Sequence, residues 1–259
     1  MIDIQKAKFI FSSYVNQFDL TDERIKLKVL HSYKVSTIAK EIALDIGLSE
    51  KDVCLAEIIG LFHDIGRFEQ VKRYQTFLDS KSVDHAELGV SILQEENLLS
   101  FIDEEDRNLI LKAIAYHNKY QLPSSLEPRI LMHAHIIRDA DKTDIFRVNL
   151  MEKEEHVYLC TKEQLEQEEI TTEVYEDFMS NQLILSAKRK THLDILLSHM
   201  AFIYDYHYAY GLSLINKENY IPRMIEPYTF KNKKIQQYMQ EAVLHACAYI
   251  DNRIHEKKN

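Results

Sequence analysis

The stretch Leu61-Phe-His-Asp-Ile-Gly-Arg-Phe-Glu-Gln70 decides the reading of this chain. It sets a histidine and an aspartate side by side directly after the apolar run Ile58-Ile-Gly-Leu-Phe62. An unpaired carboxylate in an apolar setting is costly. A lone histidine there reads as a packed core residue. An adjacent His63-Asp64 pair asks for a counter-charge from elsewhere in the sequence.

Helical spacing extends outward on both sides. Ile25, Val29, Tyr33, Ile38 and Ile42 form an apolar face that ends before Gly47. Ser49 reads as the N-cap of a helix running to Asp64, with Gly66 as its stop. Residues 69–82 read as an irregular loop. Further helices are expected at 85–96, 103–116 and 129–144, with a loop at 123–128. A long helix is expected at 183–211, a proline-containing loop at 219–230 and a terminal helix at 233–253. With 5 glycines and 4 prolines in 259 residues, the chain is too poor in turn formers for an all-β protein. The expected fold class is all-α, a helical bundle with an elaborated helical C-terminal half. The organisation expected is one helical domain over 1–259, with a core at 20–150 and an extension at 151–259 packing on it. The acidic segment 151–180 reads as a solvated amphipathic surface, or as an inserted hairpin or lid, with a capping box at Thr161 and Gln164.

Composition excludes several classes. A net charge of −9 argues against a broad nucleic-acid surface. Cys54, Cys160 and Cys247 are far apart and odd in number, which gives no disulfide framework or Cys-x-x-Cys knuckle. The N-terminus is a poor signal peptide and the longest apolar run, 195–204, is too short to cross a bilayer. A cytoplasmic location without membrane association is expected, and the tyrosine-rich C-terminal helices are compatible with a homo-oligomer.

Six residues from five separate helical segments carry the chemistry: His31, His63, Asp64, His85, His117 and Asp141. Four imidazoles and two carboxylates without a thiolate suit Fe, Mn, Co, Ni or Zn rather than Ca or Mg. Six ligands exceed the need of one open catalytic ion and suit two divalent transition-metal ions, with Asp64 as the natural bridge. The charge of two ions also explains how Asp64 tolerates its apolar setting. His133 and His135 have His-x-His spacing, which on a helix points them to different sides.

The series His31, His63-Asp64, His85, His117, Asp141 resembles the HD-domain superfamily of metal-dependent phosphohydrolases, over about residues 26–147. The resemblance implies an HD-like helical bundle with a binuclear centre. It assigns His31, His63, Asp64 and Asp141 to one ion, and Asp64, His85 and His117 to the other. The segment His-Asp-Ile-Gly-Arg is also similar to the HDIGK of cyclic-di-GMP phosphodiesterases, which makes Arg67 the counterpart of a phosphate-holding lysine. That branch's GYP signature is absent here, Tyr116 stands where it has a histidine, and Leu27 where it has a glutamate. The expected activity is hydrolysis of a nucleotide or other small phosphate ester through a metal-bridging hydroxide, with Asp64 and Arg67 as catalytic residues. Arg67, Lys142 and Arg73 are the expected substrate contacts, and Asp144 is a candidate partner for a ligand histidine. Two other readings share the ligands: a mixed-valent di-iron oxygenase acting on a small anionic substrate, and a non-catalytic nucleotide-sensing or partner-binding protein.

Overall fold

The computed structural model describes residues 2–256 and is all-α; among the described residues there is no strand. The helices are α1 Ile4–Val15, α2 Glu23–Asp45, α3 Glu50–Phe62, α4 Ile65–Tyr74, α5 His85–Glu95, α6 Glu104–Tyr116 and α7 Pro128–Met151. They continue as α8 Glu154–Val157, α9 Lys162–Leu165, α10 Thr172–Met179, α11 His192–Met200, α12 Ala209–Lys217, α13 Tyr220–Ile225 and α14 Lys233–Glu256. The chain divides into two compact units, Met1–Asp141 and Lys142–Asn259, and the boundary falls within α7.

In the first unit α2 lies along α3, α4 packs on α5, and α6 packs on both α5 and α3. Local sequence sets the helix starts. Asp22, Ser49, Asp84 and Asp103 each accept a hydrogen bond from a backbone N–H of the first turn, meeting donors that a helix cannot satisfy itself. Gly47, at φ +75°, follows the end of α2 in the left-handed conformation open to glycine. The buried Phe11 ring meets Phe62 and Phe68 edge-on at 5.6 and 6.0 Å, joining α1 to α3 and α4.

Two other glycines permit close approach rather than turns. A Cβ at Gly60 would lie 2.7 Å from the Cα of Ser36, so α2 and α3 touch backbone to backbone there. A Cβ at Gly66 would lie 2.2 Å from the carbonyl oxygen of His85. Gly66 therefore does not stop a helix, as its sequence context suggests. The helix breaks for two residues, His63 and Asp64, and the chain resumes as α4, which runs to Tyr74 through the first part of the segment expected to be a loop.

The second unit has its own apolar core, including Phe146, Tyr158, Phe178, Leu197, Met200 and Met239. Segment 151–180 is part of it: Tyr158, Cys160, Leu165, Ile170, Val174 and Phe178 are all buried. The segment departs from a solvated surface because most of its apolar residues, sparse among acids, point inward, with Met151 and Leu159 left exposed. The capping box of Thr161 and Gln164 is present. The long helix expected over 183–211 is instead α11 and α12, with 3-10 turns at Ser186–Lys188 and Ala201–Asp205. Thr191 and Asp194 start α11 with a capping box of their own. The expected loop at 219–230 contains α13, with Pro222 in its first turn, where no backbone donor is missed. Among the described residues, no helix is long and apolar enough to cross a membrane.

The contact at Gly66 gives a direct test. Gly66→Ala is expected to cost about 3 kcal/mol through overpacking. Denaturant unfolding of the variant is expected to show a lower midpoint with an unchanged slope.

Candidate metal centre

All six candidate ligands lie in the first unit, and the structure brings them together. Four of them stand at helix ends. His63 caps the C-terminus of α3, Asp64 occupies the N-cap of α4, His85 opens α5 and His117 caps the C-terminus of α6. His31 and Asp141 come from within α2 and α7. The break between α3 and α4 is thus what turns the His63-Asp64 pair into the shared cluster. The imidazoles form a chain of edge-on contacts: His31 to His63 at 5.2 Å, His63 to His117 at 5.1 Å and His117 to His85 at 4.9 Å.

The two capping histidines use one device. His63 Nδ1 donates to the carbonyl of Gly60 at 2.8 Å, and His117 Nδ1 donates to that of Ile114 at 2.7 Å. Each bond satisfies a carbonyl left over at a helix end. A carbonyl can only accept, so the proton sits on Nδ1 and a lone pair remains on Nε2. His85 reaches the same state by donating Nδ1–H to Asp79 Oδ2 at 2.6 Å.

The remaining Nε2 atoms converge without proton donors. His63 Nε2 is buried and has no hydrogen-bond partner. His85 Nε2 and His117 Nε2 face each other at 3.0 Å, both as acceptors. A buried polar atom without a partner is costly, and two opposed lone pairs are worse. A cation removes both problems. His31 Nε2 donates to Asp141 Oδ1 at 3.0 Å, and His63 Nε2 lies 3.6 Å from the same oxygen.

Asp64 sits in the middle, 3% exposed. Its Oδ2 is 3.6 Å from both His31 Nε2 and His63 Nε2. Its Oδ1 is 3.4 Å from His85 Nε2 and 3.9 Å from His117 Nε2. One oxygen therefore faces each pair of imidazoles. His31, His63 and Asp141 lie close enough to share an ion, as do His63, Asp64 and His117. Nitrogen and oxygen donors of this kind fit borderline divalent metals.

The electrostatics keep the groups in ligand form. Burial pushes the Asp64 carboxyl upward, but the positive charges beside it, Lys28 first and then Arg67, outweigh burial and hold Asp64 well below the usual range. Asp141 is held low against burial, chiefly by the hydrogen bond from His31 Nε2. Burial lowers His117 from 6.5 to about 3, aided by His85 and His63, and burial also lowers His85. At neutral pH, Asp64 and Asp141 are ionised, and His85 and His117 are uncharged.

Of the expected substrate contacts, Arg67 is at the cluster. Its guanidinium NH1 is spent on Gln70, the Phe77 carbonyl and Asp79, at 2.6 to 2.8 Å. Its Nε is buried, has no hydrogen-bond partner and lies 3.6 Å from Asp64 Oδ1. Arg73 is turned to the surface of α4, where it pairs with Glu69 at 2.7 Å. Lys142 falls in the second unit and holds Asp205 there at 2.7 Å. Asp144 pairs with Arg147 at 2.6 and 2.7 Å. His133 pairs with Asp52 at 3.2 Å, in an ion cluster with Arg129.

Two residues at the cluster escaped the sequence reading. Lys28 Nζ meets Asp64 Oδ2 at 2.6 Å. Asp79 orients His85 and anchors Arg67 at once. Lys28 was visible as the residue one turn before His31, on the same helix face. Asp79 stands in an irregular segment, which carries no periodicity to place it.

A model of the family described as HD domain matches residues 29–145. Proteins of this family are generally metal-dependent hydrolases. No curated protein and no solved structure matches the chain.

The low pKa of His117 makes stability fall with acidification. Below about 6.5 the unfolded chain takes up a proton at this histidine, whereas the folded chain does so only near 3. The unfolded state binds more protons across that window, so stability drops as pH falls through it. With metal removed by chelation, His117→Gln is expected to lose about 2 kcal/mol less than wild type between pH 6.5 and 5. Urea unfolding at the two pH values measures this.

Proposed function

We propose, with residues 29–145 an HD domain as the premise, that this chain is a metal-dependent phosphohydrolase acting on a small phosphate ester. His31, His63, Asp64 and Asp141 would hold one divalent transition-metal ion, and Asp64, His85 and His117 a second. The observation that carries the reading is the division of Asp64, whose two oxygens face separate pairs of imidazoles. The buried, donor-free Nε2 atoms of His63, His85 and His117 support it further.

Two such ions, when bound, lower the pKa of a water and neutralise charge on phosphoryl oxygens. The chain's own residues do the rest. The Nδ1–H bonds to Gly60, Ile114 and Asp79 fix the ring orientation of His63, His117 and His85 before any ligand arrives. The carboxylate of Asp79 also raises the basicity of His85. Arg67 is held at NH1 by the segment it anchors, which aims its Nε at the centre as a fixed donor. A donor set in place beforehand needs no reorganisation as charge develops on phosphorus-bound oxygen. Arg67 therefore offers one directed hydrogen bond rather than a bidentate grip.

The test is hydrolysis of generic aryl phosphate mono- and diesters across Mn, Fe, Co, Ni and Zn, carried out without oxygen. Anaerobic turnover that disappears in Asp64→Ala is the expected result, with at least a thousandfold loss. Turnover that requires oxygen would favour oxygenase chemistry on the same ligands. Turnover retained by Asp64→Ala would remove the proposed centre.

A further inference from the structure

Lys28 is the one lysine within salt-bridge distance of Asp64 among the described residues, and the ligand set alone gives no reason for it. Its side chain is 17% exposed and its Nζ meets Asp64 Oδ2 at 2.6 Å. The same Nζ lies 5.3 Å from the centre of the Phe77 ring, on which the guanidinium of Arg67 also rests at 5.7 Å. Phe77 thus steadies two cations, one beside each oxygen of Asp64: Lys28 at Oδ2 and Arg67 at Oδ1.

This placement opposes the proposed metals. Oδ2 is the oxygen that faces His31 and His63, so an ion held there would lie near an ammonium of like charge. A lysine in that place weakens metal binding unless an anion comes between the two. Arg67 differs, because its charge is already met by Asp79 at 2.8 Å.

We propose that Lys28 is a substrate-contacting residue that takes a phosphoryl oxygen and thereby couples anion binding to metal binding. The proposal rests on the metal-centre reading above and narrows its substrate class to phosphomonoesters. A monoester has three free oxygens and two charges. One oxygen can meet Lys28, one the Nε of Arg67, and one is left for the centre. A diester has two free oxygens and a single charge, which leaves Lys28 or the centre unmet. By linkage, an anion that favours the metal is itself favoured by the metal, to the same factor.

The experiment measures Mn²⁺ affinity by competition with a metallochromic chelator, so its readout does not depend on turnover. The full chain is compared as wild type, Lys28→Met, Lys28→Arg and the surface control Lys26→Met. Each is measured alone, with orthophosphate, and with dimethyl phosphate as the diester probe. Without anion, Lys28→Met is expected to bind Mn²⁺ roughly tenfold more tightly than wild type, since removing one like charge a few ångströms away is a large effect in a partly buried site. Orthophosphate is expected to tighten Mn²⁺ binding about tenfold in wild type, Lys28→Arg and Lys26→Met, and less than about threefold in Lys28→Met. Dimethyl phosphate is expected to change wild type little. Lys28→Gln carries the same expectations if Lys28→Met lacks a cooperative melt.

Equal Mn²⁺ affinity and equal orthophosphate response in wild type and Lys28→Met would overturn the role of Lys28 while leaving the metal centre standing. Equal effects of dimethyl phosphate and orthophosphate on wild type would overturn the monoester assignment. Failure of wild type to bind Mn²⁺ or any of the other proposed ions would overturn the centre itself, and this inference with it.

Discussion

Asp64 is a carboxylate almost fully removed from water, and the first unit is arranged around the consequences. Burying an unpaired charge of this kind costs several kcal/mol even after the protein relaxes. Three features offset the cost. Lys28 contacts one oxygen directly, Arg67 approaches the other, and the positive end of α4 begins at Asp64 itself. None of these satisfies the lone pairs of His63, His85 and His117, which face the same carboxylate. A site that is overstocked with acceptors and still stays buried has the donor set that could hold cations.

The packing follows from that need. His63 and Asp64 must leave successive helices in one direction, which requires α3 to end and α4 to begin with only these two residues between them. His85 must come close behind, and only a glycine at position 66 lets its carbonyl approach α4. Gly60 likewise lets α2, which carries His31, lie against α3, which carries His63. The two glycines therefore set distances between ligands, although neither touches one through a side chain.

Much of this was legible in the sequence, because the strongest signals were local. The caps at Ser49 and Thr161 and the helix spans of α2, α5, α6 and α14 follow from capping chemistry and apolar spacing. Gly66 misled because glycine after an apolar run usually ends a helix, and a need for close approach leaves no mark in a single sequence. The region 183–211 misled because its apolar spacing runs on through two interruptions, although Thr191 and Asp194 signalled a fresh start. At the cluster, the six candidate ligands were named by type and order. Lys28 and Asp79 were not, since a lysine on a helix and an aspartate in an irregular segment ordinarily face solvent. Arg73 and Lys142 were drawn in by proximity in sequence, and their charges are met by Glu69 and Asp205.

The central claim is that the two oxygens of Asp64 join two ions into one centre. Electron paramagnetic resonance of the chain loaded with Mn²⁺ tests it most directly, because two ions sharing a carboxylate are magnetically coupled. The account predicts two Mn²⁺ per chain and the multiline spectrum of a coupled pair, collapsing to the six-line signal of isolated ions when His85 and His117 are both replaced by alanine. An isolated-ion spectrum from the fully loaded wild-type chain would contradict it.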